Sequence, residues 1–267
     1  MLKYDWIPIL YATALVFLAG ASGGSFINCL CLRMVRGESV VKGRSRCPDC
    51  GKVLGVWDLI PVYSWIRLRG RCSGCKKPIS SRYLWTEVLM GMVAVSLFVR
   101  YGFLLRMMFY FVFACILLGE SLVDLDTYEI PDGFHLAALL WWCFWIPFSG
   151  KPVAVVLKEG VWGGAAIAGG MVLFTLVLDW ILGKESMGGA DIKLFFVTGL
   201  YLGWRGNFLN LMVSCMIGLI FAALFFRDSG RKEEPSLIPF APSIALGTWF
   251  CLLFGDRILD WYMGFFR

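Results

Sequence analysis

Two acidic sites, at Asp124 and at Asp191, lie at the ends of long apolar runs in a sequence with little else to ionise inside such runs. An ionisable residue at such a place is costly to hold in a membrane, so function is its first interpretation. The two aspartates are 67 positions apart, and two predicted spans between them would return the second to the side of the first. Carboxylates that meet at one membrane face can share a proton, as aspartic hydrolysis of a peptide bond requires.

Each site also has an ordinary interpretation. The first holds four acids that a solvated loop would explain, namely Asp124, Asp126, Glu129 and Asp132. Asp124 is closest to the preceding span and is the best placed of them for desolvation, with Asp126 as a supporting residue. Asp191 alone would be an ordinary helix cap, favoured there by the helix dipole. Gly188 and Gly189 before it allow close backbone approach or positive φ, and Lys193 follows as a supporting cation. The pair of sites is what points to catalysis.

Four cysteines form a second chemical pattern, a C-x2-C pair, 21 residues, and another C-x2-C pair: Cys47, Cys50, Cys72 and Cys75. Paired knuckles of this kind present four thiolates to Zn²⁺ at a closed structural site. Two disulfides or redox pairs are the alternative, which a reducing cytoplasm disfavours. Gly51 and Gly74 suit knuckle turns with unusual backbone angles. The other six cysteines are expected to pack as small hydrophobes, and the single histidine, His135, is expected to be a helix-end residue.

The composition is that of a polytopic membrane protein. Apolar residues make up 59% of the 267 positions and charged residues only 16%, and several apolar runs are long enough to cross a bilayer. Between Arg33 and Arg82 there are twelve Lys/Arg against three acids, a balance of +9 in a chain of net charge +6. This basic segment indicates a cytoplasmic loop under the positive-inside rule, and it is not a sign of nucleic-acid binding.

The apolar pattern predicts an all-α protein with about eight transmembrane helices and a small cytoplasmic zinc domain between the first and second. The spans are expected at about 6–32, 84–100, 103–122, 134–149, 161–182, 192–204, 207–226 and 239–255. The predicted domains are 1–32, 33–83 and 84–267. Both termini would then lie outside, with the two aspartates and the Arg227–Glu234 loop inside. A cleaved signal peptide ending near Ala19–Ala21 is disfavoured, because cleavage would export the basic segment.

Small residues in the first span, among them Gly20 and Gly24, would let a neighbouring helix approach closely. In the cysteine domain an unusually apolar stretch follows the first knuckle: Trp57, Ile60, Pro61, Val62, Tyr63, Trp65 and Ile66. It serves either as a small core of the domain or as a surface that docks on the membrane interface, where Trp and Tyr prefer to sit.

In these motifs the chain resembles the type IV prepilin leader peptidases, which are bifunctional membrane peptidase/N-methyltransferases. Gly24–Asn28 is similar to the family's GSFxN, Asp124–Asp132 to its D-x-D-x-x-x-I-P-D and Gly188–Lys193 to its GxGDxK. The other matching segments are the cysteine array with Ile60–Trp65 and Gly70–Cys72, Pro78–Tyr83 with Glu87, and Pro239–Pro242 with Ala245–Gly247. The sequence departs from the pattern at Ala190, where the family has Gly, and at Leu84, where Pro often stands.

The resemblance implies Asp124 and Asp191 as the catalytic pair, and cleavage of a short basic leader after Gly at the cytoplasmic face of the bacterial inner membrane. The substrates would be type IV prepilins or pseudopilins, whose new N-terminal residue, usually Phe, is methylated from S-adenosylmethionine. No nucleotide-binding glycine fingerprint accompanies the second activity, so no cofactor-binding residue is assigned. If Ala190 needs positive φ, it is costly there.

Three other functions are consistent with parts of the pattern. A presenilin-like intramembrane aspartyl protease also uses a GxGD-like motif, but the cysteine domain argues against it. A proton or cation transporter would place acids near mid-span and often shows repeated halves, whereas the two aspartates lie at span ends and no repeat is visible. A zinc-dependent scaffold for pilus or secretion assembly would need no catalysis.

Overall fold

The structure, a computed structural model, describes residues 6–40, 43–102, 105–183, 188–228 and 238–265. This part of the chain is helical and contains no β-strand, as the apolar pattern predicts. Its helices are α1 (Trp6–Val35), α2 (Tyr63–Arg67), α3 (Ser81–Tyr101), α4 (Leu105–Thr127), α5 (Asp132–Trp145), α6 (Val153–Leu182), α7 (Gly189–Asp228) and α8 (Ala241–Gly264), with single 3₁₀ turns at Val56–Asp58 and Ile146–Phe148.

Five of the described helices are long and apolar enough to cross a membrane, namely α1, α3, α4, α6 and α7. A multi-pass membrane protein is therefore confirmed, whereas a count of eight spans is not. Helix α5 has 14 residues and is short for a span. Helix α8 carries three charged residues in its second half. Ser186 and Met187 of the second motif, and most of the predicted Arg227–Glu234 loop, lie outside the described residues.

Helix α7 folds back on itself at Gly203, whose φ of 67° and ψ of 176° are not helical. Thr198 Oγ1 donates to Asn207 Oδ1 at 2.9 Å, and Asn210 Nδ2 donates to Thr198 Oγ1 at 3.4 Å. Twelve residues of continuous helix would separate Thr198 from Asn210 by about 18 Å, so the arms 189–202 and 204–228 must lie side by side. These arms coincide with the two spans predicted at 192–204 and 207–226.

Buried polar side chains stabilise the reversal of α7 at Gly203. Thr198, Asn207 and Asn210 are fully buried. Asn210 Nδ2 also donates to Thr248 Oγ1 on α8 at 3.1 Å, and Asn207 Nδ2 donates to the Gly163 carbonyl of α6 at 3.2 Å. Hydrogen bonds of this kind hold helices together where lipid offers no competing partner. No motif or charge pattern in the sequence marks these three residues.

We expect Gly203→Ala to destabilise the protein by about 1–3 kcal/mol, because this backbone region is accessible essentially to glycine alone. Thermal unfolding in detergent measures the effect. Gly170→Ala is the matched control, since Gly170 lies in α6 with no atom within 4 Å of a built Cβ and no positive φ. An unfolding temperature for Gly203→Ala equal to that of the control would contradict the fold-back.

The described chain forms two compact units, Met1–Cys115 and Ile116–Arg267. In the first unit α1 lies against α3. A Cβ added at Gly20 would lie 2.5 Å from Ala94 Cβ, and one at Gly24 would lie 2.5 Å from the Thr86 carbonyl oxygen. The close approach predicted from the small residues of the first span is thereby confirmed. In the second unit Gly163 of α6 and Gly199 of α7 make the corresponding backbone-to-backbone contact.

Candidate active site and metal centre

Asp124 lies in the last turn of α4 and is 6% exposed. Its Oδ2 accepts a hydrogen bond from the Ala241 backbone N–H at 3.0 Å, and the Phe240 N–H is a second backbone donor. These N–H groups open α8, whose first turn contains a proline. The free N–H groups and the positive end of the dipole make a helix start a natural seat for a carboxylate.

Asp191 lies in the first turn of α7, which begins at Gly189 and not, as expected, at Asp191 itself. It is partly exposed, and it lies close enough to Asp124 for the charge of one carboxylate to act on the other. Helices α5 and α6 lie between these residues in the chain. The two acids nevertheless come near each other in the fold, as predicted. Two carboxylates whose charges act on each other are harder to ionise together than singly.

The glycines before Asp191 leave room beside its carboxylate and do not adopt a left-handed backbone. Neither Gly188 nor Gly189 has φ in the left-handed region, and a Cβ built at Gly188 would lie 3.6 Å from Asp191 Oδ2. Ala190 is helical with ordinary φ. The strain considered for alanine at this position is therefore absent, because the helix already includes it.

Lys193 joins the two acidic motifs. Its Nζ lies 2.7 Å from Asp132 Oδ1 at the start of α5. The neighbouring Lys193 ammonium holds the pKa of the exposed Asp132 carboxyl below its usual range. Glu129 and Asp126 are exposed, as a solvated loop predicts. The structure thus separates the acids of the first motif into one buried carboxylate, Asp124, and three at the surface.

His135 lies at a helix end, as expected, and it also takes part in a buried contact between helices. It lies in the first turn of α5 but is 7% exposed, and its Nδ1 is 2.9 Å from Oε1 of the fully buried Glu120. Its Nε2 is 3.3 Å from the Ala190 carbonyl oxygen. A signal for Glu120 was available: it is an acid inside an apolar run, one helical turn before Asp124.

The four cysteines of the array come together. The sulfur atoms of Cys47, Cys50, Cys72 and Cys75 all lie within 4.8 Å of one another, and none is in a disulfide. Four sulfurs bound to one zinc at about 2.3 Å would be about 3.8 Å apart. The 3.9 Å between Cys47 Sγ and Cys75 Sγ matches this edge. Backbone N–H groups of Cys75 and Gly74 lower the pKa of the Cys72 thiol to about 6. At Cys75, the Lys77 N–H is outweighed by burial and the neighbouring thiols, which raise the pKa to about 11, so Cys72 is the first of this pair to become the thiolate that a metal binds.

The two knuckles are built alike. In each, the first cysteine accepts a backbone hydrogen bond four residues on, from Gly51 N–H to the Cys47 carbonyl and from Lys76 N–H to the Cys72 carbonyl. Gly51 has φ +70° and Lys76 φ +61°. The sequence predicted the second positive φ at Gly74, but it is at Lys76. Gly74 instead leaves room for the side chain of Lys52, 2.9 Å from a built Cβ.

The apolar stretch between the knuckles does not form a buried core. Trp57 and Ile66 are more than 60% exposed, and no residue of the Val56–Asp58 turn or of α2 is buried. The stretch is tied to α3 through Glu87, which is buried and whose Oε2 accepts the Val62 N–H at 2.7 Å. Val62 is held at φ +63°, which is rare for a β-branched residue.

Comparison with known proteins adds the family. Residues 18–101 match the model of the Bacterial Peptidase A24 N-terminal domain, and residues 109–223 match that of the Type IV leader peptidase family. The chain is 33% identical over 225 residues to the prepilin leader peptidase/N-methyltransferase of Stutzerimonas stutzeri, covering 84% of this chain and 76% of the relative. The equally named protein of Aeromonas hydrophila is 35% identical over 82% of this chain and 74% of its own length. No solved structure matches the chain.

Proposed function

The chain belongs to the type IV leader peptidase family, and from this premise we propose that it cleaves the leader of type IV prepilins or pseudopilins and N-methylates the new N-terminal residue. One observation supports the peptidase assignment: Asp124, buried at the end of α4, lies near Asp191 at the start of α7. No further observation supports the presenilin-like or the transporter interpretation.

Asp124 and Asp191 act as a dyad that shares one proton. One carboxylate takes a proton from the attacking water, and the other, protonated, donates to the oxygen of the scissile carbonyl. The Ala241 N–H, which donates to Asp124 Oδ2, holds this carboxylate in place at the start of α8. The two groups titrate as a unit, so the roles of base and acid belong to the pair. Gly188 keeps the approach to Asp191 open, and Lys193 holds the start of α7 to α5 through Asp132.

Charge supports one topology. The basic segment between α1 and α3 favours a cytoplasmic location of residues 33–83. Counting both arms of α7 together with α5 and α8 gives eight crossings, and in that topology Asp124 and Asp191 would lie at the cytoplasmic boundary of the bacterial inner membrane. We keep the division into 1–32, 33–83 and 84–267 on the same grounds. A prepilin presents a long apolar segment after its leader, so a dyad at this boundary is where the cleavage point arrives.

Zinc is proposed as a structural ion held by Cys47, Cys50, Cys72 and Cys75, which fit its preferred distances and donor type. When bound, it would fold a segment with few buried side chains of its own. S-adenosylmethionine is proposed as methyl donor from the names of the relatives. The apolar groove of about 620 Å³ between α1 and α3 offers almost no polar lining to such a charged ligand, so we place the pocket instead in residues 33–83 with Glu87.

The two activities are tested together by incubating the purified protein with a prepilin in detergent, with and without S-adenosylmethionine, and weighing the products. We expect loss of the leader in both reactions, and a product one methylene heavier only where the methyl donor is present. An intact prepilin after incubation with folded protein would contradict the peptidase assignment, and an unmethylated product in both reactions would contradict the transferase.

A further inference from the structure

Glu120 and His135 form a buried pair that the proposed chemistry does not use. Glu120 lies on α4, one turn before Asp124, and is 1% exposed, and His135 on α5 is 7% exposed. Their Oε1 and Nδ1 atoms are 2.9 Å apart. Burying two ionisable groups is costly unless they satisfy each other, so a pair this deep requires an explanation.

A contact of His135 with the Ala190 carbonyl determines which ring nitrogen carries a hydrogen. His135 Nε2 lies 3.3 Å from the Ala190 carbonyl oxygen, which can only accept. Nε2 therefore carries a hydrogen. Nδ1 then either donates to an ionised Glu120 or accepts from a protonated one. In both forms a single proton lies between the two side chains and the pair has no net charge, which is the state that a buried site holds at the lowest cost.

The pair ties three helices together next to the dyad. Glu120 belongs to α4, His135 to α5, and the Ala190 carbonyl to the first turn of α7, directly before Asp191. The charged groups around His135 are Glu120 on α4, Asp132 on its own helix and Asp191 on α7. Asp124 follows Glu120 by one turn on α4, and Asp191 directly follows Ala190 on α7, so the pair joins the two segments that carry the carboxylates.

We propose that Glu120 and His135 are positioning residues that fix the Ala190 peptide, and through it the carboxylate of Asp191, against Asp124. This rests on the proposed role of Asp191 in cleavage. A pair that acts by position supports the chemical step and leaves the binding of the prepilin helix nearly unchanged. Its removal therefore lowers kcat of cleavage far more than it raises KM.

Two double variants with similar side-chain volumes test this. Glu120→Leu/His135→Phe fills the site with apolar groups but has no donor for the Ala190 carbonyl. Glu120→Gln/His135→Gln retains a chain of donors and acceptors without any charge: the amide of residue 120 donates to residue 135, which donates to Ala190. We expect the apolar variant to fold, because replacing a buried pair by hydrophobic residues is often neutral or stabilising.

For the apolar variant we expect kcat of prepilin cleavage to fall about 10²-fold with KM within about threefold of the starting value. The kcat of the amide variant should be at least about tenfold higher than that of the apolar variant, since the amide variant keeps a hydrogen-bond donor for the Ala190 carbonyl. Methylation of a pre-cleaved substrate should be unchanged in both, which also reports correct folding. A folded apolar variant with unaltered kcat, or a folded amide variant as slow as the apolar one, would overturn the proposal.

Asp191→Asn measured in parallel separates this proposal from the one on which it rests. If Asp191→Asn cleaves normally, the dyad is wrong and the positioning role is wrong with it. If Asp191→Asn is inactive while the apolar variant is as fast as the unsubstituted protein, only the positioning role is wrong.

Discussion

Replacing either Asp124 or Asp191 with Asn is expected to lower the rate of leader cleavage by about 10²–10⁴-fold, the range typical of a lost general acid or base. Asparagine has the shape of aspartate and its side-chain oxygen can still accept the Ala241 N–H, so the fold is expected to persist. It cannot exchange a proton with a water or a carbonyl oxygen. Initial rates of prepilin cleavage, followed by mass spectrometry on purified variants, measure the effect.

Three observations control this experiment. Glu129→Gln removes an exposed acid of the same loop and should leave cleavage unchanged. Asp126→Asn should weaken cleavage without abolishing it. Methylation of a pre-cleaved substrate should survive both dyad substitutions, because that reaction needs no peptide hydrolysis. Normal processing by a folded Asp191→Asn or Asp124→Asn variant would reject the dyad.

A dyad with one shared proton also predicts the form of the pH profile. Cleavage should follow a bell-shaped curve, lost on the acid side when the pair takes up a second proton and on the alkaline side when it loses the first. A profile in which activity rises to a plateau and stays there at high pH would indicate a single ionised carboxylate in place of the pair.

Replacing Cys72 and Cys75 together with Ser is expected to abolish zinc binding and methylation and to destabilise residues 33–83. Structural zinc contributes about 10–16 kcal/mol of apparent binding free energy in small zinc-finger peptides, far more than the few buried side chains here supply. Metal analysis of the purified protein should find one zinc per chain before the substitution and none after it. Cleavage should fall no more than methylation does.

Cys143→Ser is the matched control, because Cys143 is an exposed thiol on α5 that does not belong to the four-cysteine motif. It should change neither zinc content nor activity. Purified protein without zinc, with the four sulfurs oxidised in pairs, would reject the metal centre. Labelling of Cys50 by a membrane-impermeant reagent from outside the cell would contradict the cytoplasmic placement of residues 33–83.

The features that the sequence determined by itself are local ones. Membrane-length apolar runs specify helices because a backbone in lipid must satisfy its own hydrogen bonds. The spacing of Cys47, Cys50, Cys72 and Cys75 specifies a four-sulfur cluster, since each C-x2-C turn brings two thiols to one point. The cost of a carboxylate at the end of an apolar run also marks Asp124 and Asp191 as candidates.

The contacts that define the site were decided only by tertiary structure. The N–H groups of α8 bind Asp124 across 117 positions, and His135 meets both Glu120 and the Ala190 carbonyl. Likewise, Gly203 turns α7 back so that Thr198 and Asn210 meet. Periodicity and composition report which residues share a helix face, but not which helix lies opposite. That choice depends on close packing between helices distant in the chain, where small residues such as Gly163 and Gly199 permit contact and larger ones prevent it.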